Sequence, residues 1–374
     1  MFRLSAPPLL LLLRRLAVLW LAAPLAAPWA ADMTLILDDT AQQYGEFAAQ
    51  LRSVNAASHR LTQGKVDILP LDSLRQLDGP QAAAPRASPD DGDSVLAGVR
   101  TRSARGSMLP DPGASAPTPS TAARAEGNDP GVLVAVGPRA ARAVVQRAGN
   151  EPVLLALLGR LEYEELRALP ALRRPERAIG VLLRDPAAAE QLSLIDAVLP
   201  GKRRVGVVTA PQAEPLMREL ASAALTWPAQ HPSRGGRPWA IAAADAPDSN
   251  ALTGALQAVV PASDALLVLP DPVGSTSAAA LALLQSAATA NLPVFATSEA
   301  MVRAGALAAL VPGNAQLAEQ AHALTVRLKQ APPGPPVVEA PRRLTVRTNP
   351  HVAKRLGLAL PPDDVLTAAV ARRD

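Results

Sequence analysis

The sequence predicts an α/β protein of two doubly wound, Rossmann-like lobes joined by a hinge. Short apolar runs alternate with helix-length stretches, the runs are continuously apolar, and the alternation comes in two successive series. Such alternation marks βαβ units and a parallel sheet. Strands buried on both faces read as unbroken apolar runs. The clearest block is Ser263–Pro312. Asp264–Leu269 is an apolar run between Pro261 and Pro270, Ser277–Ala290 an Ala/Leu-rich helix, Leu292–Ala296 a second run and Glu299–Ala309 a second helix.

The first series has runs at Met33–Leu37, Lys65–Leu69, Val132–Val136, Pro152–Leu157 and Ala178–Leu183. A helix follows the first run through Leu51, with Tyr44, Phe47, Ala48 and Leu51 on one face and Thr40 placed to cap it. Gly137-Pro138 and a helix over Arg139–Arg147 follow the third run. Pro186–Leu199 repeats apolar residues at helical spacing, ends at Pro200-Gly201 and joins the two series. The second series has runs at Arg204–Thr209 and Pro238–Ala244, then the Asp264 and Leu292 runs, and Ala308–Val311. Pro332–Pro336 breaks the chain. Arg343–Arg347 is one further strand, Pro350–Leu356 a short helix stopped at Gly357, and Pro361-Pro362 opens a last helix. The expected domains are residues 32–183 for the first lobe, 184–330 for the second and 331–374 for a closing segment that crosses the hinge.

Two stretches stand outside this plan. Residues 1–31 place Arg3, Arg14 and Arg15 before the apolar core Leu16–Ala27 and small residues at Ala26, Ala27, Ala30 and Ala31. That is the plan of a secretory signal peptide, with a retained anchor as the other reading. Asp78–Pro130 is rich in Pro, Ala, Ser, Asp and Gly. It reads as a disordered insertion, because it cannot bury enough apolar surface to offset its ordering entropy.

Composition narrows the function. The chain has no cysteine, which excludes a lipid-modified N-terminal cysteine, a disulfide framework and thiolate metal sites. Export without disulfides fits a bacterial periplasm. With 374 residues there is room for two ordinary domains. Aromatic residues are only 2%, so the core is Ala, Leu and Val. The 37 Lys and Arg against 33 Asp and Glu are spread along the chain. Without rings for base stacking they read as solvated surface and not as a nucleic-acid footprint. Phosphate-loop, dinucleotide and G-x-S-x-G signatures are absent. Asp38-Asp39-Thr40 lacks the spacing of a phosphotransferase pair, and His59, His231, His322 and His351 lack metal-ligand spacing. The expectation is no enzyme, no metal and no cofactor.

Ligands of open α/β sheets sit beyond the carboxyl ends of the strands. There the sequence puts Asp38, Thr40, Gly137, Asp271, Ser275, Thr276, Thr297, Ser298 and Glu299. Helix capping alone explains each Ser and Thr singly. Their convergence in both series is what points to a site. Helix N-termini offer free N–H groups and a positive dipole end, which suit a carboxylate. A cleft between the lobes would gather them around a small anionic or zwitterionic ligand.

Four segments resemble a known family. They are Val132–Val145 (VLVAVGPRAARAVV), Leu194–Val208 (LIDAVLPGKRRVGVV), the Ser263–Leu310 block and Leu344–Leu366 (LTVRTNPHVAKRLGLALPPDDVL). Together they resemble the substrate-binding proteins of ABC transporters with the type I periplasmic-binding-protein fold, in the branch that includes proteins binding aromatic amino acids. The resemblance implies a periplasmic, monomeric solute-binding component of an importer. It would bind an amino-acid-like carboxylate between its lobes and deliver it to an inner-membrane ABC permease. It implies ligand contacts at Asp38, Thr40, Tyr44, Gly137, Pro138, Asp271, Thr297, Ser298 and Glu299. Thr40, Thr297 and Ser298 would hold the carboxylate and Asp271 or Glu299 an ammonium group. The lobes would move about Ala178–Asp185, Asn314–Leu317 and Arg342–Thr348. Pro138 departs from the usual Thr or Ser, the segment Glu151–Arg160 is less polar, and the insertion replaces an ordered part of the first lobe. These departures keep a second reading open, that of a ligand-free envelope accessory or interaction protein on the same fold.

Overall fold

The computed structural model describes residues 32–38, 42–58, 65–78, 131–173, 176–232 and 237–371. The expected targeting segment 1–31, Thr40 and residues 79–130 of the expected insertion lie outside them. The first part of the chain runs β1 (Met33–Leu37), α1 (Gln42–Ser58), β2 (Val66–Pro70), β3 (Val132–Val136), α2 (Pro138–Gln146), β4 (Val153–Leu158), α3 (Arg160–Arg167) and β5 (Ile179–Leu183). The second part runs α4 (Ala188–Val198), β6 (Arg204–Thr209), α5 (Glu214–Gln230), β7 (Ala240–Asp245), α6 (Ser249–Val259), β8 (Ala265–Leu267), α7 (Pro272–Ser275), α8 (Ser277–Thr289), β9 (Val294–Ala296), α9 (Glu299–Ala304) and β10 (Ala308–Pro312). The chain closes with α10 (Asn314–Gln330), β11 (Val337–Glu339), β12 (Leu344–Thr348), α11 (Pro350–Arg355) and α12 (Asp363–Ala371).

Two 6-stranded sheets result, ordered β11-β5-β4-β3-β1-β2 and β12-β10-β9-β8-β6-β7. Every pairing is parallel except β10 with β12. The inner strands are buried throughout, as their unbroken Val/Leu/Ala runs require. Strand order reverses between β1 and β3 in the first sheet and between β6 and β8 in the second. Those two switch points are where crevices open in doubly wound sheets.

Each sheet is covered by helices. α1 and α10 pack together on the first sheet through Phe47, Leu51, Leu317, Leu324 and Leu328. Burying each such side chain contributes about 1.5–3 kcal/mol. The second sheet carries α4, α5 and α12 on one face and α6, α8 and α9 on the other.

The elements named from the sequence largely occupy their expected positions, and α3, α5, α6 and α10 stand where that reading named no helix; three further differences follow. The sequence reading ended the second lobe at residue 330, but α10 packs on the first sheet. Its buried Leu317, Ala321, Leu324 and Leu328 form the apolar stripe that completes that core. The helix expected over Glu299–Ala309 stops at Ala304, because the chain turns at Gly305 (φ +129°) into β10. The short strand β11 was not foreseen. The chain passes between the sheets at residues 184–187, at Gly313 and at 340–343. Gln320 holds the last crossing to α10. Its Nε2 donates to Glu339 Oε2 (3.0 Å) and the Ala340 carbonyl (2.9 Å), and its Oε1 accepts from the Arg342 N–H (2.9 Å).

Candidate functional site

The carboxyl ends of both sheets face a cleft of about 780 Å³. On the first-lobe side it is lined by Gln43, Leu157, Arg184 and Asp185. On the second-lobe side Ser275, Thr276, Ser277, Thr297, Ser298 and Glu299 form a polar end, and α8 and α9 form an apolar wall. A second hollow of about 1210 Å³ is lined by α4, the end of α5, the 340–343 crossing and α12. It contains none of the residues expected to bind ligand.

Two expected ligand acids are engaged elsewhere. Asp38 follows β1 and is buried; its Oδ2 accepts the Arg139 N–H at 3.1 Å, and its Oδ1 lies 3.6 Å from the Arg139 guanidinium. It therefore ties the end of β1 to the start of α2, across the first switch point. Asp271 follows β8. Its Oδ2 accepts from Ala210 N–H and its Oδ1 from Gly274 N–H, both at 2.7 Å. It ties the β6 and β8 loops across the second switch point. Burial pushes the Asp271 carboxyl above its ordinary pKa against those N–H bonds. Neither Asp38 nor Asp271 lines the cleft.

Gly137 and Tyr44 form one packing unit. Gly137 adopts φ 93°, ψ 166°, and a Cβ there would sit 2.9 Å from Tyr44 Cε2 and 3.0 Å from Asp38 Cβ. Only glycine meets both demands. Tyr44 is buried and its hydroxyl pKa is raised by that burial. Pro138 opens α2, where its fixed φ suits the first helical position and its missing N–H leaves no donor. Gly137, Pro138 and Tyr44 do not line the cleft.

Thr297, Ser298 and Glu299 do line it, at the carboxyl end of β9. Ser298 Oγ accepts the Met301 N–H at 3.3 Å and caps α9. Glu299 is exposed and pairs with Arg303 at 3.1 Å. Thr297 is half-buried. The N-terminus of α8 stands beside Ser275, Thr276 and Ser277.

Sequence reasoning missed Arg184 and Asp185, which follow β5. Arg184 donates to both Glu162 oxygens (Nη1 3.0 Å, Nη2 2.9 Å) and through Nη1 to the Leu157 carbonyl (3.3 Å). Burial alone would lower the Arg184 pKa, but Glu162 and Asp185 outweigh it and raise it. Asp185 Oδ2 accepts the Arg160 N–H at 2.8 Å. Burial pushes the Asp185 carboxyl up, against that N–H and the Arg184 charge. Leu157 sits at a register shift between β4 and β5 with φ +59°, a region a branched side chain rarely adopts. The signal was present in the sequence as a lone Arg-Asp pair closing an apolar run. No group of three or more His, Asp or Glu side chains able to hold a metal ion occurs among the described residues.

The sequence profile of the ABC transporter substrate binding protein family matches residues 115–372. The chain belongs to that family. No curated sequence matches the substrate-binding protein. Its fold is shared with solved structures. A conserved domain protein from Vibrio cholerae O1 biovar El Tor is 20% identical (TM-score 0.50, covering 91% of this chain and 98% of that one). An ABC domain in complex with L-Trp from Streptococcus pneumonia is 15% identical (TM-score 0.50, 90% and 98%). A substrate binding protein with adhesive properties from Clostridium difficile, in a ligand-free, open structure, is 13% identical (TM-score 0.58, 89% and 96%). The substrate-binding protein therefore has the two-lobed type I periplasmic-binding-protein architecture. Among its described residues no helix is long and apolar enough to cross a membrane.

Proposed function

We propose that this substrate-binding protein is the periplasmic, monomeric solute-binding component of an importer. It carries a small, carboxylate-bearing, amino-acid-like ligand in the cleft between its lobes and delivers it to an inner-membrane permease. The observation that supports this reading is the polarity of the cleft. Hydroxyls of Ser275, Thr276, Ser277 and Thr297 and the start of α8 stand on one wall, with Arg184 and Asp185 on the other. Hydroxyls and free N–H groups at a helix start suit a carboxylate. Asp185 and Glu299 are the acids left at the cleft for an ammonium group, now that Asp38 and Asp271 are engaged with backbone. A neighbour of the same fold holds L-Trp, which makes amino acids the first class to test. Binding makes and breaks no covalent bond; the crossings at 184–187, 313 and 340–343 are the places for the lobes to pivot.

Thermal unfolding of the full chain against amino acids, short peptides and organic acids tests the reading. A ligand of the folded form at a hundredfold excess over its Kd stabilises by about 2.7 kcal/mol. One chemical class raises the midpoint, and Thr297→Ala weakens that class at least several-fold without changing the ligand-free midpoint. A flat response across the panel, with a cooperative transition intact, removes the solute-binding reading. The envelope accessory role would then stand in its place. It is favoured by the first-lobe loop at 137–139, where Pro138 has no N–H and Arg139 N–H is taken by Asp38.

A further inference from the structure

The cleft has a second property that head-group chemistry does not use. Beyond the hydroxyls, α8 and α9 line it with Ala280, Leu281, Leu284, Ala300, Met301 and Ala304. On α8 these positions recur three to four residues apart, so one helical face is turned to the cleft along more than a turn. Leu284 is buried, but Leu281 is 54% exposed at the rim. Leu281 thus extends the apolar wall formed by Ala280, Leu284, Ala300, Met301 and Ala304. Among the described residues no Phe, Tyr, Trp or His side chain lines the cleft. Tyr44 packs its ring against Gly137 and is not among the lining residues.

We propose that this groove takes the aliphatic chain of the ligand, so that the cargo is an acid with an alkyl chain and not one with an aromatic ring. This deepens the carboxylate reading above and rests on it. The groove is continuous with the polar end: Thr297 and Ser298 precede α9, and Ser275 and Thr276 lead into Ser277 at the start of α8, so a bound head group places its tail between the same two helices. Leu and Met side chains over an alanine floor give an alkyl chain dispersion contacts along its length. An aromatic ring would find neither a ring to stack on nor a ring edge to meet. The volume of about 780 Å³ lies in the range of sites for ligands larger than one small amino acid, which leaves room for a chain of several carbons.

Isothermal titration calorimetry of the full chain tests this with two probe sets. The first is leucine against phenylalanine and tryptophan, which share one head group. The second is the straight-chain carboxylates from butanoate to octanoate. Leucine is expected to bind at least tenfold tighter than either aromatic amino acid. Each added methylene is expected to tighten binding roughly fourfold until the groove is full. Leu281→Asn should flatten the methylene series, and Leu281→Ile should restore it. The exposed position keeps the fold intact in both, which an unchanged ligand-free melting midpoint checks. A flat series, an aromatic preference, or an unchanged series in Leu281→Asn overturns the inference and leaves the carboxylate reading standing. No binding by any of these acids overturns the carboxylate reading and the inference together.

Discussion

Alanine at position 137 would bring a methyl group within 2.9 Å of the Tyr44 ring, in a backbone conformation that only glycine adopts readily. Gly137→Ala is expected to cost about 1–3 kcal/mol of stability, read as a lower urea midpoint with an unchanged slope. The neighbourhood of Gly137 was legible in the sequence, since a glycine closing an apolar run before a proline marks a strand end and a helix start. The roles of the two acids were not. Asp38 and Asp271 occupy the expected strand ends, yet each faces backbone N–H groups of a neighbouring loop. Sequence position fixes where a carboxylate begins, and only the neighbouring loop decides what it meets. Arg184 was passed over for the converse reason. A single arginine after a strand reads as solvated charge until Glu162, twenty-two residues earlier, is seen to hold it.

At the scale of elements, apolar runs announced themselves, the short β8 and β9 included, and β11 did not. β11 lies in a proline-rich stretch with no periodicity; its place comes from parallel pairing with β5 and from side chains remote in sequence. Glu339 is the clearest of these. Burial pushes its carboxyl up, but hydrogen bonds from Arg327 and Gln320 and the charges of Arg327 and Arg342 outweigh it and leave the pKa lowered. A carboxyl depressed in the folded state binds fewer protons there than in the unfolded chain. Its contribution is therefore present above the ordinary value of 4.5 and is lost as pH falls through the lower folded value. Glu339→Gln should destabilise the protein at pH 7 and converge on the parent protein as pH falls through the lowered folded value, as followed by urea unfolding across the acid range. A constant difference at every pH would show that the Glu339 charge contributes nothing. The lobe boundary at residue 330 differs for a related reason: an apolar stripe such as that of α10 does not say which of two sheets it covers.

At the scale of the molecule, the lobes touch through charge. Arg160 on α3 pairs with Glu219 on α5 at 2.8 Å, and Glu219 also accepts the Ala188 N–H at 3.1 Å. About a quarter of each of the two paired side chains is exposed, so the pair is worth more than a fully solvated one. Glu219→Ala is expected to lower stability by about 1–3 kcal/mol. It should also broaden the distribution of lobe separations, seen as a larger radius of gyration in solution scattering of the ligand-free protein. An unchanged radius would mean that the crossings alone set the lobe geometry. Those crossings bear on how the protein comes into being. The first sheet receives β11, and its core receives α10, only after every parallel strand of the second sheet has been made. A ribosome that has released residue 313 has made a first lobe with one face covered by α1 alone. The lobe that comes first in the sequence thus waits for a segment made after most of the second lobe, which itself still lacks β12 and α12, and until that segment arrives the nascent chain must keep the unfinished face from neighbours.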